Sequence, residues 1–327
     1  MSTFQAKQAF LTPAGNDNAF ARGHGEVSGR LLTFPLQPAE FDFADFGFEH
    51  LALDYDAEIG ALWMRFTHPG RPCFTPGLLA EMSELERRLS GAAAAGALPS
   101  GLRYLVRASD RPGVWCYGGD LQHFVDLIRA GDEGQLRAYA HRCVDLLYRN
   151  YMSFDLPITT VGLVQGDALG GGFESLLSDD LVIAERGVRM GLPEILFNLF
   201  PGMGAYSFLA RKLGSAVAKR LITSGELYTA EELHDLGVVD ILAEPGTGEE
   251  VFRAYARKTA RRRRTLDVLR EVDRRCQPVT HEELIDVTEL WIERALELEP
   301  QDLRKMERLA QSQTRRPEPQ PEALALH

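Results

Sequence analysis

One segment, GDALGGGFESLLSDDLVIAERGVRMGLPEILFNLFPGMG from Gly166 to Gly204, restricts the fold more than any other stretch of this chain. It sets a glycine triplet (Gly170, Gly171, Gly172), an apolar strand-like run (Asp180 to Arg186) and a second glycine turn (Gly202, Gly204) around two carboxylates, Glu174 and Glu194. Glycines at such density serve a backbone that bends sharply or meets another backbone closely. Two carboxylates presented from such turns can work as an acid and a base if the fold brings them together.

Each residue also has a plain structural reading. The triplet follows a strand and precedes an apolar run, so a helix is expected to start near Phe173. Its first amides would then be free donors for a developing oxyanion, or the glycines would simply allow a tight turn. A nucleotide-phosphate cradle fits less well, because neither GxGxxG nor a terminal GKS/GKT is present. Glu174 and Glu194 could each be ordinary first-turn acids, favoured by the helix dipole. Ser175 is not in a GxSxG elbow, which argues against a hydrolase triad.

The rest of the chain reads as alternating strands and helices. Leu51 to Asp56 and Ile59 to Thr67 alternate around a short turn, as a hairpin does. Pro76 starts a helical pattern, Leu102 to Ala108 and Val114 to Tyr117 read as strands, and Leu121 to Ala130 and Gln135 to Phe154 as helices. The second of these carries Leu136, Tyr139, Cys143, Leu146 and Leu147 on one face. A strand at Ile158 to Val164 feeds the central segment. Helices are expected near Ala205 to Leu213, Ala216 to Thr223 and Thr229 to Leu236, the last with a Thr229/Glu232 capping box. A short strand at Val238 to Leu242 follows, then charged helices over Glu249 to Arg275 and Thr280 to about Gln311. This order favours an α/β core (residues 46–264) between a partly disordered extension (1–45) and a helical region with a loose tail (265–327).

Taken together, the order of strand, Gly118-Gly119-Asp120 turn, strand, GGGFE, strand and GLPE with a following PGMG resembles the crotonase (enoyl-CoA hydratase/isomerase) superfamily. The resemblance runs from about Leu51 to Arg264. It implies an α/β spiral of ββα units with a C-terminal helical region that mediates trimer contacts, as a homo-trimer or dimer of trimers. It also implies an oxyanion hole of two backbone amides: one from Tyr117 or Gly118, the other from Gly171. Glu174 and Glu194 match the two glutamates of the family's hydratases, which implies addition or removal of water. Gly119, Leu169, Gly170, Phe173, Leu192, Phe200 and Met203 would contact the substrate. LPEILFNLFPGMGAYSFLARK (Leu192 to Lys212) and RPCFTPGLLAEM (Arg71 to Met82) are most similar to the diffusible-signal-factor synthase branch. That likeness implies a dehydratase and thioesterase acting on a medium-chain 3-hydroxyacyl thioester of acyl carrier protein, or of CoA, to release a 2-enoic acid signal. A β-oxidation enoyl-CoA hydratase is the rival enzyme; a non-catalytic partner of a sensor kinase is the rival of another class.

Bulk properties prune other classes. A net charge of −11 supplies no overall basic field for nucleic acid, and the run Arg261 to Arg264 could meet the phosphates of a carrier's pantetheine arm or an acidic carrier face, or simply be a solvated helix face. The four cysteines are scattered without CxxC spacing, and His123, His141 and His234 lack ligand spacing, so neither zinc nor a disulfide framework is expected. No cofactor is implied. Without a long apolar run or a signal-peptide core, the expectation is a cytoplasmic protein with no membrane span.

Overall fold

The hairpin sets the edge of the larger sheet. Strands β1 (Leu51–Asp56) and β2 (Ala61–Phe66) pair antiparallel, Leu51 opposite Phe66 and Asp56 opposite Ala61. From β2 onward the sheet is parallel: β3 (Tyr104–Ser109), β5 (Thr159–Val164), β7 (Leu181–Glu185) and β10 (Ile241–Ala243) complete the order β1-β2-β3-β5-β7-β10. Every residue of β5 and β7 is buried, as expected for strands covered on both faces. The computed structural model describes Phe43 and residues 46–314, with side chains to 311. Most of the expected N-terminal extension and the final tail lie outside the described residues.

A second, smaller sheet stands beside the first. Its strands, β4 (Gly113–Cys116), β6 (Gly166–Leu169), β8 (Arg189–Gly191) and β9 (Leu227–Thr229), take the order β4-β6-β8-β9. The chain thus passes three times from the large sheet to the small one: β3 to β4, β5 to β6, and β7 to β8. Each pass ends in a helical segment. These are α2 (Leu121–Ala130) with α3 (Glu133–Tyr151), then α4 (Gly171–Leu176), then a 3-10 turn (Pro193–Phe197) leading to α5 (Ala205–Leu213). This is the α/β spiral of ββα units with a helical C-terminal region that the sequence led us to expect.

The large sheet buries two different cores. On one face Trp63 and Tyr104 each meet Phe252 of α8 (Gly248–Thr259) edge-on at 5.4 Å. The other face packs against α1 (Pro76–Ala94), α3 and α4 in the larger apolar cluster. Helices α6 (Ser215–Ser224) and α7 (Ala230–Asp235) follow α5, and Thr229 and Glu232 form the expected capping box.

Two expected long helices are each divided. The run from Glu249 to Arg275 breaks after Thr259 into α8 and α9 (Arg263–Cys276). The run from Thr280 breaks before Pro300 into α10 (His281–Leu296) and α11 (Pro300–Thr314). Proline fits a helix start, where its missing N–H has no partner to lose. The last strand also begins later than Val238, because Val238 and Val239 fold back on Leu233 of α7 instead. The short strands β6, β8 and β9 carry no periodicity of their own, and only their sheet partners define them.

Candidate active site

The glycine triplet lies where the two sheets meet. Gly170 follows β6 and donates its amide to the Gly191 carbonyl at 2.8 Å, tying the triplet to β8. α4 begins at the next residue, so the Gly171 N–H lies in its first turn, where intrahelical acceptors are missing. Gly118 comes from the preceding turn with φ +84, and a Cβ there would fall 2.6 Å from the Gly171 nitrogen. No other residue type could let these two backbones approach so closely.

The structure sorts the candidate amide donors of that turn. Tyr117 N–H already donates to the Pro72 carbonyl at 2.7 Å. Gly118 N–H faces the Cys116 sulfur at 3.4 Å, and its carbonyl accepts from Phe74 N–H at 2.7 Å. Because a trans peptide is planar, the Gly119 N–H points opposite to that carbonyl, away from the Phe74 segment. A Cβ on Gly171 would stand 3.4 Å from the Gly119 nitrogen. The donor beside Gly171 is therefore Gly119, rather than Tyr117 or Gly118. Sequence reading missed it by one or two positions, since amide direction depends on which carbonyl the neighbouring segment engages.

These elements enclose a cavity of about 240 Å³. Gly119, Leu169, Gly170, Gly171, Glu174, Glu194 and Met203 line it, with Tyr117. Gly118, Phe173, Leu192 and Phe200 do not: Phe173 and Leu192 are 1% exposed and belong to the packed core. Asp167 and Arg189, paired at 2.8 Å and more exposed, form a polar stretch of the wall. Tyr139 and Cys143 of α3, Thr288 and Trp291 of α10, and Leu309 of α11 supply other wall residues. The periodicity of α3 showed that Tyr139 and Cys143 share an inward face, but not that this face meets a cavity. Arg261 to Arg264 lie elsewhere, at the junction of α8 and α9, where Arg263 donates to the Pro157 carbonyl.

The two carboxyls are buried together but treated differently. Glu174 Oε1 accepts from Met203 N–H at 2.8 Å and from Ala205 N–H at 3.1 Å, at the start of α5. Burial still pushes its carboxyl up to about 7, with those amides and that of Gly204 opposing. Glu194 hangs from the 3-10 turn, and its Oε2 is buried without a hydrogen-bond partner. Burial, and then the nearby Glu174 charge, raise the Glu194 carboxyl well above the usual range. Gly170 gives the second carboxyl its space: with φ +54, any Cβ there would come within 2.6 Å of Glu194 Oε1. Of the two, Glu174 is better prepared to carry the charge and Glu194 the proton.

An acid and a base beside two inward amides can remove a proton next to a carbonyl while the amides hold the charge that develops on its oxygen. The sequence profile of the enoyl-CoA hydratase/isomerase family matches residues 100–293, more than half of the chain. The chain belongs to this family. It is 31% identical over 207 residues to the fatty acid oxidation complex subunit alpha of Idiomarina loihiensis, a match that covers 62% of the chain. It spans only 25% of that relative's length.

Solved structures share the family fold at low identity. An enoyl-CoA hydratase from Bacillus halodurans superposes with a TM-score of 0.66 at 20% identity, over 80% of this chain and 100% of that one. The human mitochondrial delta3-delta2-enoyl-CoA isomerase gives 0.65 at 20%, over 81% and 99%. Pseudomonas aeruginosa DspI gives 0.62 at 22%, over 83% and 98%. Among the described residues, no group of acidic, histidine or cysteine side chains is arranged to hold a metal ion, and no helix is long and apolar enough to cross a membrane.

Proposed function

We propose that this chain is a dehydratase with thioesterase activity, converting a medium-chain 3-hydroxyacyl thioester of acyl carrier protein into a free 2-enoic fatty acid signal. The observation that carries the reading is the pair of buried carboxyls in one cavity, beside the Gly119 and Gly171 amides.

The thioester carbonyl accepts from the Gly119 and Gly171 N–H groups. One carboxylate removes a proton from the α-carbon, and the carbonyl oxygen takes up the charge. The C–O bond to the β-hydroxyl then breaks as the other carboxyl protonates the leaving oxygen. Water departs and the 2-enoyl thioester remains. Elimination needs one acid and one base, and the pair supplies one of each. Oxyanion donors of this kind are worth ~10²–10³ in rate each. For hydrolysis, a glutamate carboxylate activates a second water against the thioester carbonyl. The same amides hold the tetrahedral oxyanion, and the carrier thiol leaves. The apolar wall offered by Phe124, Phe197, Leu199, Trp291 and Leu309 suits an acyl tail.

The test is incubation with 3-hydroxyacyl-carrier and 3-hydroxyacyl-CoA substrates of graded chain length, with mass spectrometry of the products. The expected outcome is free 2-enoic acid, formed fastest from a medium-chain carrier substrate. Enoyl thioester without free acid would remove the thioesterase half and leave a hydratase; no reaction with any of them would remove the reading.

A further inference from the structure

The turn that carries Gly119 has no regular structure of its own between β4 and α2, so something must hold its amide in place. Four contacts come from the segment 71–74. Tyr117 N–H donates to the Pro72 carbonyl and Phe74 N–H to the Gly118 carbonyl, both at 2.7 Å. One Arg71 guanidinium nitrogen reaches both Asp120 oxygens at 2.7 Å. Asp120 also caps α2 by accepting from His123 N–H at 3.2 Å.

One further link comes from inside the cavity wall. Phe74 and Gly119 form a parallel β-bridge, and the Tyr139 hydroxyl stands in it. The hydroxyl accepts from Asp120 N–H at 3.2 Å and donates to the Phe74 carbonyl. Its ring meets Phe124 edge-on at 5.1 Å and lines the cavity, and burial raises its phenol well above the ordinary range, so it stays a hydroxyl and keeps both roles. The two peptides flanking Gly119 are thus fixed separately, one by Phe74 through the Gly118 carbonyl and one by Tyr139 through the Asp120 amide.

We infer that Tyr139 is a positioning residue for the reaction: the relay from Asp120 N–H through its hydroxyl to the Phe74 carbonyl holds the peptide after Gly119, as Phe74 N–H holds the one before it, and the two together set the direction of the Gly119 amide. This rests on the proposed oxyanion role of Gly119. Removing the hydroxyl takes a partner from a buried N–H and a buried carbonyl that face each other across the bridge, and the turn shifts as they close on each other. Nothing of the substrate-binding wall is lost, because the ring remains.

The experiment is Tyr139→Phe, read by kinetics on a 3-hydroxyacyl thioester and by infrared difference spectroscopy of a bound 2-enoyl thioester with a ¹³C-labelled carbonyl. In the wild type the carbonyl band is expected at lower frequency than in water. In the variant kcat should fall about tenfold, less than the ~10²–10³ for deleting a donor. KM should stay within twofold and the band should move back toward its position in water. An unchanged band and kcat in folded Tyr139→Phe would overturn the inference while leaving the oxyanion reading intact. A wild-type band that does not shift would defeat the oxyanion reading itself, and the inference with it. Should Tyr139→Phe fail to fold, Arg71→Gln loosens the same turn through Asp120 from outside the cavity. A partial return of the band there supports the clamp, and a band at the wild-type position counts against it.

Discussion

Glu174 and Ser175 are neighbours in α4, yet they face two buried polar clusters built on opposite terms. On the Ser175 side, Arg107 donates to Asp179 at 3.1 and 2.5 Å and to the Ser175 hydroxyl and carbonyl at 2.6 and 2.8 Å. Asn150 adds a bond to Asp179 at 3.0 Å. That carboxylate is paired with a cation and hydrogen-bonded, although burial still raises it and Asn150 Oδ1 has no partner. On the other side, Glu174 and Glu194 face a cavity whose one lining arginine, Arg189, is paired with Asp167 instead, and one Glu194 oxygen lacks any partner. Consecutive helical residues point about 100° apart, so one six-residue helix can serve both. Burial of charge alone therefore does not mark a working site. What sets the glutamate pair apart is that two carboxyls share one cavity with no cation paired to either, an arrangement that is costly to the fold and suited to moving protons.

The contrast breaks first at the glutamates. Glu174→Ala and Glu194→Ala should each lower product formation by at least about a thousandfold, with the far-UV circular dichroism spectrum and a cooperative melt retained. Turnover surviving in either would make that carboxyl no different in kind from Asp179. The next effect is on stability. Arg107→Met strands Asp179 in the core and should cost about 3–5 kcal/mol in denaturant unfolding, whereas Arg107→Met with Asp179→Leu should recover most of the loss. A single variant as stable as the wild type would show that the matched cluster is not what holds α4.

The smallest expected effect is on pH dependence, and its sign is opposite to that of a paired carboxylate. Glu174 has its folded-state value raised from 4.5 to about 7, so between those values the folded protein holds a proton that the unfolded chain has released. The Glu174 contribution should therefore fall as pH rises through that window and level off above it, while Glu194, raised well above the usual range, adds a slope of the same sign. Glu174→Gln removes this contribution and should make the fall of melting temperature between pH 4.5 and 7 shallower, with the part due to Glu194 remaining, measured by differential scanning calorimetry. An unchanged slope would mean that Glu174 is not the group that titrates there.

Much of the architecture could be read from the chain because it rests on local chemistry. The β1–β2 hairpin, the apolar runs of β3, β5 and β7, the helix beginning at Pro76 and the Thr229/Glu232 cap each follow from periodicity or capping within a dozen residues. Of the second sheet, only β4 was legible in that way. The other strands, of three or four residues, carry too little pattern, and β6 and β8 exist only because their partners lie alongside. For the candidate site, the residue types were visible but their surroundings were not. Phe173 and Leu192 are as apolar as Leu169, and only packing decides that they fill the core while Leu169 meets the cavity.

By itself, the sequence determined the alternation of strands and helices, the glycine turns, and two acids 20 residues apart that resemble a known pair. Tertiary structure alone decided that those acids share one cavity, that the Tyr117 and Gly118 amides face the Pro72 carbonyl and the Cys116 sulfur while Gly119 lines the cavity beside Gly171, and that α10 and α11 supply part of the wall. The division has a physical cause. Backbone geometry and side-chain periodicity are set by near neighbours, whereas solvation and amide direction are set by groups that only the folded chain brings close. Phe74 is far from Gly119 in sequence but bridged to it in space, Trp291 lines the same cavity, and no local pattern could announce either.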